Sequence, residues 1–184
     1  MGLFFSNIQI RRTENELDFA QIAAVLTEGR DLSAVDNEEE ADIALSVFTV
    51  ADSPWITVCS DLIEGDFEEL GAKARRLSET LQTQTLALAC LDSDYFCMNL
   101  IDAANGADLW AANGRMTEGK APRRSSLAPW KRYVSDIEAF KRTMRGKYVF
   151  AEACLDGLEP LLSLPVLHCV RAAGLTAGAP IRST

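Results

Sequence analysis

The chain has 184 residues, 48% of them apolar, which is enough for one well-formed core or for one domain with a small appendage. Its 18 basic and 27 acidic residues leave a formal charge of −9, which repels phosphate backbones and anionic lipid surfaces alike and argues against a nucleic-acid role. No apolar run of about 18 residues exists to span a bilayer, and the N-terminus has no basic segment leading into an apolar core, so neither a membrane span nor a secretion signal is expected.

In chain order, "MGLFFS" formally meets the myristoylation pattern at Gly2 with Ser6 in place. The reading adopted is that Leu3 to Arg12 is simply the first strand, since one acyl chain binds membranes only marginally and no basic patch accompanies it. Phe4, Ile8 and Ile10 fall on one face of that strand and Asn7, Gln9 and Arg11 on the other, the pattern of a half-buried strand. From Glu14 the period changes: Phe19, Ile22, Ala23 and Leu26 predict a helix with Gly29 near its end. The acidic run Asp36 to Asp42 reads as a solvated loop rather than a cation site. Ile43 to Val50 and Trp55 to Leu62 are β-rich runs around the turn residues Ala51 to Pro54 and predict a hairpin.

The clearest helix spans 66–83, with Asp66 as cap, Glu69 in the third position and Phe67, Leu70, Ala74, Leu77 and Leu81 as one apolar stripe. Strands Thr85 to Leu91 and Tyr95 to Ile101 flank Asp92-Ser93-Asp94, and a polar turn at Asn105 and Gly106 leads to a short "DLWAA". A two-residue turn at Ser93 and Asp94 pairs Cys90 with Cys97, whereas a three-residue loop Asp92 to Asp94 pairs Cys90 with Phe96. The order strand, helix, strand, strand, helix, strand predicts an α+β fold of the ferredoxin-like split β-α-β kind, an antiparallel sheet with helices on one face, extended by a β-hairpin and C-terminal helices. A different α+β sandwich from the same elements is the alternative.

Residues 1–113 are assigned to this α+β domain, 114–170 to a polar loop and C-terminal helical extension packed on it, and 171–184 to a flexible tail rich in small residues, Gly and Pro. Within the extension, Lys120, Arg123 and Arg124 form the main basic cluster, read as a solvated loop before an anion site. Trp130, Val134 and Ile137, then Phe140 and Met144, predict two short helices. "YVFAEACLDGLEPLLSL" predicts a third that ends near Gly157 or Pro160.

The segments "MGLFFSNIQIRR", "WITVCSDL", "LSETLQTQTLALACLDSDYFCMNLI" and "PWKRYVSD" with "YVFAEACL" resemble a group of uncharacterised bacterial proteins along most of the chain to about residue 160. The resemblance implies a bacterial cytoplasmic setting, in which myristoylation is not expected, and it implies no mechanism.

The residue types present do not fit the familiar catalytic templates. Five cysteines (Cys59, Cys90, Cys97, Cys154, Cys169) without CxxC spacing read as reduced core thiols, which favours the cytoplasm. The one histidine, His168, neighbours Cys169, but adjacent side chains do not face each other on a helix, so no dyad follows; Cys59 is read as structural. No G-x-S-x-G elbow, P-loop or G-x-G-x-x-G fingerprint is present. What remains is carboxylate chemistry. Asp61 and Asp92 end two strands expected to run parallel, with Asp94, Glu64 and Asp66 nearby, and such oxygen ligands suit Mg²⁺ or Ca²⁺. Asp also belongs at strand ends for backbone reasons, and the turn reading is preferred. Two function classes follow: a non-enzymatic binding or protein-interaction module needing no cofactor, its partner another protein, or a metal-assisted hydrolase or transferase using Asp61, Asp92 and Asp94.

Overall fold

A computed structural model describes residues 4–14, 17, 19–30, 43, 45–50, 52–63, 66–116 and 125–165. The acidic run Asp36 to Asp42, Glu64, the cluster of Lys120, Arg123 and Arg124, His168, Cys169 and the tail 171–184 lie outside the described residues.

The strands are β1 (Phe5–Arg11), β2 (Leu45–Thr49), β3 (Trp55–Ser60), β4 (Thr85–Leu91), β5 (Tyr95–Asp102) and β6 (Ala107–Gly114); the α-helices among the described residues are α1 (Phe19–Leu26), α2 (Phe67–Leu81), α3 (Ile137–Arg145) and α4 (Cys154–Leu162). The six strands form one sheet in the order β2-β3-β1-β4-β5-β6, each neighbouring pair antiparallel. The protein is therefore α+β, and its sheet is open at β2 and β6. The short "DLWAA" segment is part of a strand of 8 residues, because it pairs with β5 along its whole length.

α2 forms where its sequence demands. Asp66 accepts from the Glu68 and Glu69 amides at 2.7 and 3.3 Å, satisfying two of the N–H groups that the first turn leaves without partners. Its stripe of Phe67, Leu70, Ala74 and Leu77 is buried on the sheet with Ile8, Ile10, Val58, Ala87 and Cys97. Gly71 lets the helix sit close, since a Cβ there would lie 2.9 Å from the Trp110 ring and 3.0 Å from Asn99 Oδ1. Lys73, buried beside this stripe, donates to Glu69 Oε1 at 2.6 Å and to the Leu62 carbonyl.

The expectation that helices lie on one face holds only for α1 and α2. Strand residues alternate between faces, and the set opposite α2 (Leu86, Leu88, Phe96, Met98, Leu100) packs with Trp130, Phe140, Met144, Leu155, Leu158 and Leu162 from the C-terminal segment. Every residue of β5 is buried as a result. Trp130 stacks on Phe140 with ring centroids 4.9 Å apart, and Trp55 Nε1 donates to the Leu162 carbonyl at 2.8 Å, tying α4 to β3.

This second layer corrects three further expectations. β1 is not half-buried: Asn7 and Gln9 are buried, and Gln9 answers both neighbours, donating to Asn7 Oδ1 at 2.8 Å and accepting from Thr57 Oγ1 at 2.8 Å. Buried amides persist when paired in this way. The segment around Trp130 is a 3-10 turn, Ala128–Arg132, and only the second of the two expected short helices, α3, is α-helical, capped by Asp136 at 2.9 Å from both the Glu138 and Ala139 amides. α4 also runs through Pro160 to Leu162. Leu158 and Leu162, on either side of Pro160, are both buried, and their combined burial offsets the bond and fit that Pro160 forfeits.

Candidate functional site

The strand ends converge at one end of the sheet. β3 and β4 both run antiparallel to β1, so Asp61, opening the 3-10 turn Asp61–Ile63, and Asp92 and Asp94, in the loop after β4, all lie at that end. β1 lies between β3 and β4, however. Two interstrand spacings of about 4.8 Å put Asp61 roughly 10 Å from the β4 end. Among the described residues no group of three His, Cys, Asp or Glu side chains is arranged to hold a metal ion. Asp61 and Asp92 each have interactions with neighbouring groups, and Asp66 is occupied as the α2 cap.

The two-residue turn is ruled out. Cys90 pairs with Phe96 and Leu91 with Tyr95, so the loop is Asp92-Ser93-Asp94, and Cys90 and Cys97 are not cross-strand neighbours. The Asp94 amide donates to the Leu91 carbonyl at 3.0 Å, while Asp92 and Ser93 hold φ of 49° and 58°. Positive φ at both central residues suits the twist of a hairpin but is ordinarily given to Asn or Gly. The loop is held from two sides. On one, Arg115 N donates to the Asp94 carbonyl at 2.9 Å, and Gly114, at φ 85°, leaves no room for a side chain, since a Cβ would lie 2.0 Å from that carbonyl oxygen. On the other, Ala151 N donates to the Ser93 carbonyl at 2.6 Å and Ser93 Oγ donates to Glu152 Oε1 at 2.8 Å.

Glu152 also accepts from Cys90 Sγ at 3.7 Å. Burial, and then the Glu152 carboxylate, push the Cys90 thiol up to about 12. Burial, with Cys90 nearby, raises Cys97 and Cys154 as well. These thiols are protonated and are not nucleophiles at neutral pH. Cys59 is only partly buried, less than expected for a core thiol.

The same end carries the exposed large apolar side chains of the described residues: Phe4 at 58%, Tyr148 at 37%, Val149 at 89% and Phe150 at 58% exposed. Phe4 immediately precedes Phe5, the partner of Cys90; Val149 and Phe150 immediately precede Ala151, which is bonded to Ser93. Their segment is tethered along its length. Asn113 Nδ2 donates to the Met144 and Gly146 carbonyls at 3.1 and 2.9 Å, and the Tyr148 hydroxyl donates to the Thr143 carbonyl at 3.1 Å. Tyr148 thus folds back over the end of α3, and Val149 and Phe150 are presented to solvent on a fixed backbone.

A cleft of about 330 Å³ lies at the other end of the sheet, lined by Arg75, Glu79, Gln82, Ile101, Gly106 and Asp108 among others. Its main charges answer each other, with Arg75 Nη2 2.6 Å from Asp108 Oδ2.

The structure puts Asp92 and Asp94 in one loop and Asp61 beyond β1; sequence reasoning did not identify Gly114 and Glu152, which hold that loop, or the exposed Val149 and Phe150. Gly114 was a legible signal, as a glycine ending a strand beside a turn; Glu152 acts across 59 residues of chain and left none. The chain matches no family model, no curated protein and no solved structure.

Proposed function

We propose that the protein is a non-enzymatic binding module that docks another polypeptide at the sheet end formed by Phe4, Val149, Phe150 and the Asp92–Asp94 loop. The observation that carries this reading is Val149 and Phe150, 89% and 58% exposed on a segment tethered by Asn113, Tyr148 and Ala151. A loose loop can bury such side chains against its own protein, whereas a pinned apolar pair at a surface offers area to a partner at little ordering cost. The loop beside it has two non-glycine residues at positive φ, a conformation that persists where surrounding structure enforces it and that clusters at functional sites. The reduced, protonated thiols suit a cytoplasmic, reducing setting. The fold reading that goes with this function is a ferredoxin-like split β-α-β unit of β1 to β4 with α1 and α2, extended by β5 and β6; the strand order β2-β3-β1-β4 supports it.

The test is capture from a lysate of the source cell, using wild-type protein and a Val149→Asp, Phe150→Asp variant of matched thermal stability. A protein retained by wild type and lost by the variant supports the module; equal retention removes this surface from the function. Thermal shift with Mg²⁺, Mn²⁺ or Ca²⁺ tests the metal-assisted alternative. A ligand at one hundred times its dissociation constant stabilises by about 2.7 kcal/mol, and a shift of that order abolished by Asp92→Asn would favour the reading through Asp61, Asp92 and Asp94.

A further inference from the structure

Charge is spread unevenly along this acidic chain. Residues 131–147 hold six basic side chains (Lys131, Arg132, Lys141, Arg142, Arg145, Lys147) against two acidic ones (Asp136, Glu138), a local charge of +4 in a chain of −9. Both acids are engaged within the segment: Asp136 caps α3, and Glu138 Oε1 is 2.7 Å from Lys141 Nζ. Arg142, Arg145 and Lys147 are exposed, and among the described residues no ion pair holds them. Arg142 and Arg145 also complement the dipole at the α3 C-terminus, whereas Lys147 lies beyond the last turn, where that effect has fallen off.

These cations border the exposed apolar pair. Tyr148 links the two: its hydroxyl donates to the Thr143 carbonyl, and its ring lies against Gly146, where a Cβ would be 2.7 Å away. The chain passes from Lys147 through Tyr148 directly into Val149 and Phe150. On the other side of the pair, Ala151 is bonded to the Asp92–Asp94 loop, whose two acids are exposed. Val149 and Phe150 thus sit between a cationic border and an anionic one.

We infer that the partner docked here is an acidic polypeptide segment, which covers Val149 and Phe150 with apolar side chains and sets Asp or Glu residues against Arg142, Arg145 and Lys147. The inference rests on the docking reading above and names the chemistry that this surface takes. Guanidinium groups pair with carboxylates through two parallel hydrogen bonds, and charge complementarity across an interface selects the partner and fixes its register. Range then favours a polypeptide over other anions. Fields are screened within about 8 Å at physiological ionic strength, so a short acidic segment meets the local patch alone. A bilayer or a nucleic-acid duplex extends past it to the rest of the chain, which, at −9 overall and +4 here, carries −13.

Fluorescence anisotropy with labelled polymers and the full chain is the test. A random copolymer of Glu and Tyr should bind, more tightly than a Glu homopolymer that lacks apolar anchors, and its affinity should fall as salt rises. Arg142→Gln with Arg145→Gln and Lys147→Gln should weaken binding at least about tenfold, and so should Val149→Asp with Phe150→Asp. Arg145→Lys with Lys147→Arg keeps both charges and should keep the binding. No binding of the copolymer, equal binding of the homopolymer, or equal binding by the triple variant overturns the inference. Tighter binding of phosphatidylserine vesicles or of duplex DNA through the same residues also overturns it, and makes the ligand a membrane or a nucleic acid. Lys147→Gln alone, outside α3, decides if the triple variant does not fold: it should weaken binding, and an unchanged affinity overturns the inference. The two readings fail separately. A lysate protein lost on Val149→Asp, Phe150→Asp but retained by the neutralised variant leaves the docking surface standing and overturns the acidic partner; a protein retained by both removes the surface and the inference with it.

Discussion

On the face that carries α1 and α2, one helix of 15 residues with an uninterrupted apolar stripe does most of the covering; on the other, a 3-10 turn and two helices of 9 residues each share the task with stacked aromatic rings. Both faces press on the same strands, β4 and β5, whose side chains are almost all buried. The first layer is thus built from a local pattern, 3.6 residues per turn against a sheet, while the second is built from contacts between distant segments, such as Trp55 with Leu162 and Ser93 with Glu152. A periodic helix can form its packing face before it meets the sheet. The second layer has no such face until Trp130, Phe140 and Leu158 are brought together.

The largest expected effects test whether the two layers are equals. Leu77 and Trp130 are both fully buried, one under each layer. Leu77→Ala should cost roughly 2 to 5 kcal/mol and Trp130→Ala roughly 3 to 5 kcal/mol in urea denaturation. If the layers fold as one unit, each variant keeps a single transition with an unchanged denaturant slope. A loss below half a kcal/mol at either position contradicts its placement, and a second transition in Trp130→Ala alone would make the C-terminal layer a separately melting unit.

The thiols sharpen the comparison through pH. Cys154 belongs to the second layer's core and Cys97 to the first; Cys90 is buried on the β4 face that carries Leu86 and Leu88 and meets Glu152 of the second layer. All three have pKa values raised by burial, Cys90 from 9.0 to about 12. An unfolded chain ionises these thiols near pH 9 while the native one keeps its protons. The native state therefore holds more protons above pH 9, and stability falls as pH rises. Each thiol adds a slope of about 1.4 kcal/mol per pH unit once the unfolded thiol is ionised, in a window that for Cys90 closes near pH 12. Cys90→Ala should reduce the slope by one proton's worth in melts from pH 8 to 11; an unchanged slope would mean that Cys90 is more accessible than its surroundings indicate.

A matched pair of caps comes next in size. Asp66 and Asp136 each bond two amides of a first turn, one helix in each layer. Replacing either with Ala should cost about 0.5 to 2 kcal/mol. A loss at Asp66 that appears only with divalent ions present would instead mark it as a ligand.

How far each layer could be read in the sequence follows from the same contrast. The strands β2 to β5, the α2 stripe and its cap were legible within about two residues, because periods of two and 3.6 with turn residues between them are local signals. The second layer was legible as helices but not as a layer. Asn7 and Gln9 read as solvent-facing because polar alternation normally marks exposure, and no local pattern announces that Thr57, 48 residues away, satisfies one of them. At the sheet end, Asp92 and Asp94 stood out as acids around a turn, whereas the groups that hold the loop, Gly114 and Glu152, come from β6 and the second layer.

The smallest expected effect bears on that loop, where the second layer touches the end of the sheet. The β5–β6 turn places Gly106 at φ 63°, with no atom near its missing side chain, while the β4–β5 loop places Asp92 and Ser93 at similar angles. A non-glycine residue in this region carries a cost of about 1 kcal/mol, somewhat less for Asp, and glycine in its place gives back part of the gain through its greater freedom in the unfolded chain. Asp92→Gly relieves the strain but puts at risk the interaction that Asp92 makes with its neighbours, so the two effects should nearly offset and change stability by less than about 1 kcal/mol. Ser93→Gly relieves the same strain but loses the bond to the Glu152 carboxylate, a charged acceptor worth about 1.5 to 3 kcal/mol, so it should destabilise by about 1 kcal/mol. Both can be read from chemical denaturation at neutral pH with divalent ions absent. A clear loss at Ser93 with little change at Asp92 would show that the loop is held in its strained form by the second layer through Ser93. A clear loss on Asp92→Gly would show instead that the Asp92 side chain earns its place by an interaction beyond the turn, and would return it to consideration as a ligand.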